Sequence, residues 1–226
     1  MPAYDQTRGR VEDYFDRTAT KTWERLTSDA PVSKVRETVR KGRDRMRATM
    51  LGQLPQDLTG MRVLDAGCGT GMASIELAQR GAEVVAVDIS PSLVGIAAKR
   101  TPDAVRDQIS YRAGDMLDAE LGTFDHVIAM DSLIYYEASD IGKALAALCP
   151  RVGSVVFTVA PRTPFLMTFF TMGKMFPRSD RSPVMIPHAP TRLASAAKAE
   201  GAHGALSEIA RITSGFYIST CLEYRS

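Results

Sequence analysis

Residues that hold metals are scarce in this sequence. Three histidines and three cysteines are spread over 226 residues, and no two cysteines form a CxxC pair. The common zinc patterns are therefore excluded. The thiols of Cys68, Cys149 and Cys221 read as reduced, buried groups of a cytoplasmic protein. An excess of one charge is lacking too, with 28 basic residues against 26 acidic ones. A net charge of +2 gives no clustered basic footprint for nucleic acid. No apolar run reaches the ~20 residues that span a bilayer. The nearest, residues 164–176, is broken by Gly173 and Lys174. The first thirty residues are polar and charged, so no secretory leader is expected. No internal repeat is visible.

What remains is ordinary for one globular domain, 45% hydrophobic and 24% charged. Residues 34–50 carry a helical pattern in which Arg40, Arg43 and Arg47 share a face. From Met61 onward strand and helix alternate. Strands are expected at 62–66, 83–88, 109–113, 124–130 and 154–160. Helices are expected from the Gly-rich turn to about Arg80, after a Ser90-Pro91 cap, and over 139–149. Continuous apolar strands separated by helices indicate a parallel sheet covered on both faces. The tail changes character: a helix near 193–200, then strands near 206–212 and 216–223 close enough to pair as a hairpin. A proline-rich insert at 161–190 interrupts the pattern, as a lid or a disordered loop does.

The strongest chemical signal is Asp65-Ala66-Gly67-Cys68-Gly69-Thr70-Gly71, following a strand and opening a helix. Glycines there allow a tight turn and a close backbone approach to a ligand. The spacing is GxGxG rather than the GxGxxG of a nicotinamide site. Asp65 would crowd a pyrophosphate but suits a cationic ligand. Asp88 ends the second strand, where a carboxylate accepts hydrogen bonds from ribose hydroxyls. Asp115 follows the third strand in Gly114-Asp115-Met116, placed to accept from an adenine amino group while Met116 or Ile89 packs on the ring. Three acids after three successive strands mark the ligand crevice at the carboxyl edge of a doubly wound sheet.

With these motifs the sequence resembles the class I methyltransferases over residues 61–223. The resemblance implies a Rossmann-like α/β fold, a mostly parallel seven-stranded sheet with a C-terminal antiparallel hairpin, and an N-terminal helical cap. It implies S-adenosylmethionine as methyl donor, with Gly67 and Gly69 beside its methionine moiety, Asp88 on the ribose, and Met130 and Asp131 facing the sulfonium. Segments outside the core carry a closer resemblance. Tyr14-Phe15-Asp16 with Trp23, residues 32–43, Asp131-Ser132-Leu133-Ile134-Tyr135-Tyr136, and Ala160-Pro161-Arg162-Thr163 through Phe176-Pro177 are similar to the magnesium-protoporphyrin IX O-methyltransferases of (bacterio)chlorophyll synthesis.

That likeness implies methyl transfer to a propionate carboxylate of magnesium protoporphyrin IX, which is ionised at neutral pH and needs no strong base. Tyr14 is the first candidate for a catalytic contact and Tyr135 the second. Relatives often carry His at the latter position, and a tyrosine with a pKa near ~10 is a poor base, so Tyr135 reads as an orienting group. Arg40 is placed by its motif at the methionine carboxylate. The aromatic and methionine-rich stretch 164–176, with Phe165 and Phe169, suits a flat apolar macrocycle. Arg178 and Arg181 follow it and suit the second propionate. His188 is a candidate axial ligand of the magnesium or a surface histidine. His126 reads as structural, and His203 receives no role.

The domain reading is a cap over residues 1–50 and a donor-binding domain over 51–226 carrying the substrate insert at 161–190. The insert is open to three readings: substrate lid, core, or membrane contact. The expected setting is cytoplasmic, with peripheral contact at photosynthetic membranes. The expected partners are the porphyrin and the porphyrin-carrying subunit of magnesium chelatase, with no protein-bound metal and no nucleic acid. Two competing functions stand beside this one. The first is a methyltransferase for another apolar acceptor, such as a quinone or fatty acid. The second is a non-catalytic module that binds S-adenosylmethionine and regulates a partner.

Overall fold

The computed structural model describes residues 2–16, 20–28, 33–164, 166–167 and 183–225. Strands β1 (Arg62–Ala66), β2 (Glu83–Asp88), β3 (Ile109–Ala113), β4 (His126–Ala129), β5 (Ser154–Val159), β6 (Ala205–Ser214) and β7 (Tyr217–Arg225) form one sheet in the order β3-β2-β1-β4-β5-β7-β6. The first five run parallel, and β7 pairs antiparallel with both β5 and β6. The strand order reverses beside β1, which is where such sheets open a crevice.

Helices α1 (Pro2–Tyr14), α2 (Thr20–Leu26) and α3 (Lys34–Leu51) precede the sheet. Helices α4 (Met72–Gln79), α5 (Pro91–Arg100) and α6 (Ala138–Leu148) follow the first, second and fourth strands, and α7 (Pro190–Ala199) leads into β6. Ser90 caps α5 by accepting from Leu93 N at 3.2 Å, with Pro91 in the first turn.

Alternate residues along the strands feed two apolar cores, as burial on both faces requires. Leu64, Val85, Val127 and Phe157 pack with α6 and α7 residues such as Ile141, Leu145 and Leu193. Val63, Val84, Ile128 and Val156 pack with Met46 and Met50 of α3 and Leu77 of α4. The docking of α3 depends on Gly42. A Cβ there would stand 2.7 Å from Tyr217 Cδ1, so the helix backbone lies directly against β7. Ser214 Oγ donates to Thr38 O at 2.8 Å and fixes the register of that contact. Arg40, Arg43 and Arg47 consequently share a face turned toward the carboxyl edge of the sheet.

Strand β4 and the helix before β6 are among the elements whose bounds differ from the sequence pattern. Strand β4 stops at Ala129 because the chain turns sharply at Asp131, the one non-glycine among the described residues with a positive φ, 55°. Helix α7 begins three residues earlier than expected, since Pro190 supplies its first turn. Both described ends of the 161–190 insert are tied down: His188 N donates to Ala160 O at 2.8 Å, Arg162 N to His188 O at 3.1 Å, and Ile186 N to Ile134 O at 2.8 Å. Phe165, Phe169, Arg178 and Arg181 lie outside the described residues. Among the described residues no helix is long and apolar enough to cross a membrane.

Candidate active site

The turn after β1 is built by its glycines. Gly67 N and Cys68 N both donate to Val87 O, at 2.8 and 3.0 Å, which folds the chain back onto β2. This requires positive φ at Gly67 (89°), Gly69 (54°) and Gly71 (82°). Their surroundings differ. A Cβ on Gly67 would overlap Ser132, and one on Gly71 would press on Tyr111 and Ala97. At Gly69 a Cβ would meet nothing within 4 Å, because this backbone faces a cavity of about 210 Å³ at the sheet edge.

The acids sit where the strands end. Asp65 is 1% exposed and accepts from Ser74 Oγ at 2.6 Å. Asp88 holds the turn together, its Oδ2 accepting from Gly69 N at 2.8 Å and its Oδ1 from Ser90 N at 2.9 Å. Burial pushes both carboxyls up to about 6. Buried carboxylates short of positive charge suit a ligand that is cationic and rich in hydroxyl donors, so these residues fit S-adenosylmethionine. Among the described residues no group of three or more His, Cys, Asp or Glu gathers to hold a metal.

Asp115 also borders the cavity, yet its oxygens are already engaged. Oδ1 accepts from Tyr4 Oη at 2.8 Å and Leu117 N at 2.9 Å, and Oδ2 pairs with Arg8 at 2.7 Å. Tyr4 in turn stacks on Tyr136, with ring centroids 5.0 Å apart. Asp131 accepts from Thr158 Oγ1 and Tyr217 Oη and pairs with Arg43, which covers the face of Trp23 at 4.5 Å. Phe15 lies between Trp23 and Tyr135, at 5.8 and 6.1 Å, and Tyr14 packs edge-on against it. Tyr4 of α1, Phe15 just after it and Trp23 of α2 thus roof the cavity with aromatic rings.

The structure brings together around this cavity Arg40, Asp65, Gly67, Gly69, Asp88, Ile89, Asp115, Met116, Met130, Asp131 and Tyr135. Tyr14 is not in its wall, but it interacts electrostatically with Tyr135. The guanidinium of Arg40 is engaged by the carbonyls of Leu26 and Arg25, at 3.0 and 3.1 Å. His188 requires a correction. It is 3% exposed, its Nε2 lies 2.9 Å from Tyr136 O, and it does not line the cavity. The ring ties the end of the insert to the wall behind Tyr136, so an axial bond to a porphyrin metal has no support. No role at the site was read from the sequence for Tyr4, Arg8 or Arg43. For Arg43 a signal existed, its shared face with Arg40 and Arg47. For Tyr4 and Arg8, partners more than a hundred residues away leave none.

The raised carboxyls predict a pH dependence. Asp65 and Asp88 are ionised above about pH 6 and take up protons below it. Affinity for the sulfonium donor is expected to fall between pH 7.5 and 5.5. It should fall more steeply than affinity for S-adenosylhomocysteine, whose sulfur is uncharged. Calorimetric titration of both ligands across that range checks this, and parallel curves would count against a charge role. Because the folded state holds these protons more tightly than the unfolded chain, the ligand-free protein gains stability from them as pH falls from 7 toward 5.

Two family models match, "Magnesium-protoporphyrin IX methyltransferase C-terminus" over residues 129–226 and "Methyltransferase domain" over residues 63–152. The chain is 60% identical to the magnesium-protoporphyrin O-methyltransferase of Rhodobacter capsulatus across 100% of both chains. It is 33% identical to that of Synechocystis sp. over 94% of both. Its fold superposes on the crystal structure of magnesium protoporphyrin IX methyltransferase from Synechocystis PCC 6803 with bound SAH. The TM-score is 0.80 at 29% identity, with 97% of this chain and 100% of that one covered. The chain therefore belongs to the magnesium-protoporphyrin O-methyltransferase family.

Proposed function

We propose that this protein transfers a methyl group from S-adenosylmethionine to a propionate carboxylate of magnesium protoporphyrin IX, giving the monomethyl ester. The observation that carries this reading is the 60% identity to the Rhodobacter capsulatus enzyme along the whole chain. The donor supplies an electrophilic methyl on a sulfonium. The acceptor carboxylate is ionised at neutral pH, so the protein's work is to align the two and exclude water.

The residues around the cavity suit that work. Burial, reinforced by the charge of Asp131, pushes the Tyr135 hydroxyl above its ordinary value, so it keeps its proton and acts as a donor. A protonated phenol orients a carboxylate without neutralising the charge that the reaction consumes. Arg43 is already paired with Asp131, which spares the acceptor both a repelling acid and a trapping cation. Tyr14 supports the same end of the cavity through Phe15 and Tyr135. Tyr135→Phe is expected to lower kcat by about tenfold or more while leaving S-adenosylhomocysteine affinity unchanged. Equal losses in both would assign Tyr135 to donor binding instead.

We further propose that residues 1–50 act as a cap and 51–226 as the donor-binding domain, with the 161–190 insert covering the macrocycle through Phe165, Phe169 and Arg178. Receipt of the acceptor from the porphyrin-carrying subunit of magnesium chelatase, in the cytoplasm or at a photosynthetic membrane surface, would spare a flat apolar ring the cost of crossing water. Exposed Phe216, Val35 and Met185 offer apolar contacts for either encounter. The test of acceptor chemistry is alkaline treatment of the product formed with a methyl-labelled donor. A carboxyl methyl ester releases its label as methanol. Label that survives belongs to an ether and points to a phenolic acceptor.

A further inference from the structure

The last carbonyls of a helix lack partners within it. In α2 they are met by arginines from two other helices. Arg100, the final residue of α5, donates Nη2 to Glu24 O at 2.7 Å and Nη1 to Thr27 O and Thr27 Oγ1 at 3.2 and 2.9 Å. Arg40 takes the carbonyls of Leu26 and Arg25 between them. Thr27 Oγ1 also accepts from Thr70 Oγ1 at 2.8 Å, which links this joint to the glycine turn. A planar guanidinium that grips several carbonyls at once sets orientation as well as distance.

The other end of α5 carries a second joint. Asp16, from the Tyr14-Phe15-Asp16 motif, accepts from Ser90 Oγ and from Ser92 N. Ser90 is itself the cap of α5, so Asp16 completes the helix start with a side chain 74 residues away in sequence. Helix α5 is ten residues long, about 15 Å. One joint is at each of its ends. Between them in sequence stand Trp23 and, beside the first joint, Phe15, two of the rings that roof the cavity. Neither Asp16 nor Arg100 lines the cavity.

We propose that Asp16 and Arg100 are positioning residues for methyl transfer, which pin Asp16 and the carboxyl end of α2 to the two ends of α5 so that Phe15 and Trp23 close the cavity and Phe15 meets Tyr135. The proposal rests on the reading of the cavity as the methyl-transfer site. Asp16 also carries a charge that Asp88 feels, so the joint and the charge must be tested separately. Asp16→Asn keeps the acceptor oxygen and removes the charge, whereas Asp16→Ala removes both.

The experiment combines steady-state kinetics on magnesium protoporphyrin IX with limited trypsin digestion of the ligand-free protein, scored by mass for cleavage before residue 50. Asp16→Ala and Arg100→Ala are each expected to lower kcat by about tenfold or more and to hasten that cleavage by a similar factor. Arg100→Lys keeps the charge but not the multi-point grip and should follow Arg100→Ala. Asp16→Asn should stay within about threefold of wild type in both readouts. Wild-type kcat in the alanine variants overturns the proposal, as does a lowered kcat with unaltered cleavage. If the wild-type protein yields no porphyrin ester, the functional reading fails. The digestion then still decides the joints, and unaltered cleavage in both alanine variants refutes them.

Discussion

Asp88→Ala is expected to abolish measurable methyl transfer and to weaken donor binding by about a hundredfold or more. The size follows from the role proposed for Asp88, acceptor for two ribose hydroxyls, each charged hydrogen bond being worth about 1.5–3 kcal/mol. The same change frees Gly69 N and Ser90 N, which the Asp88 oxygens now accept from, so the turn that shapes the cavity keeps only its backbone bonds to Val87 as ties to β2. Removing a carboxyl that burial has pushed up to about 6 relieves part of the folding cost at neutral pH. The melting temperature should therefore change far less than the affinity. Asp88→Asn separates the two effects, since it keeps an acceptor for one backbone N–H. Calorimetric binding of S-adenosylhomocysteine by both variants is the check. Wild-type affinity in Asp88→Ala would remove Asp88 from the donor site.

Gly67→Ala is the second large effect, and it acts on stability and binding together. Gly67 sits at φ 89°, where an alanine is strained by about 1–2 kcal/mol. Its new Cβ would overlap Ser132, whose Oγ is held by donating to Ala66 O at 2.8 Å and has little room to yield. The two costs add to about 3 kcal/mol, which lowers the melting temperature by roughly 6–12 °C in a chain of this size. Relief of the overlap would push the segment after β4 outward, carrying Asp131 and Tyr135 with it. Gly69→Ala offers a contrast. A Cβ there meets no protein atom within 4 Å and points into the cavity. It should cost less in stability and more in donor affinity. A melting temperature for Gly67→Ala equal to that of the wild type would show that the turn tolerates what this geometry forbids.

The parts of the site legible in the sequence are the parts made by local chain geometry. Asp65 through Gly71, Asp88 and the Gly114-Asp115-Met116 turn each lie at or just past the carboxyl end of a strand, and periodicity located those strands to within a residue or two. Asp131 shows where local reasoning runs short. Its place after β4 was readable, but its positive φ and its pairing with Arg43, 88 residues away, were not. The roof of the cavity is wholly a matter of long-range contacts. Tyr4 and Arg8 reach Asp115 across 111 and 107 residues, and nothing in α1 announces it. His188 was misplaced for the same reason. A histidine in a long insert looks exposed until the insert folds back onto the end of β5, where Pro161 bridges to it.

Methyl transfer to the porphyrin is tested most directly by incubation of the purified protein with methyl-labelled S-adenosylmethionine and magnesium protoporphyrin IX, followed by mass analysis of the porphyrin. The porphyrin is expected to gain a single labelled methyl with the wild-type protein and none with Asp88→Ala. A porphyrin that gains no methyl while the protein still binds the donor would contradict the proposed function.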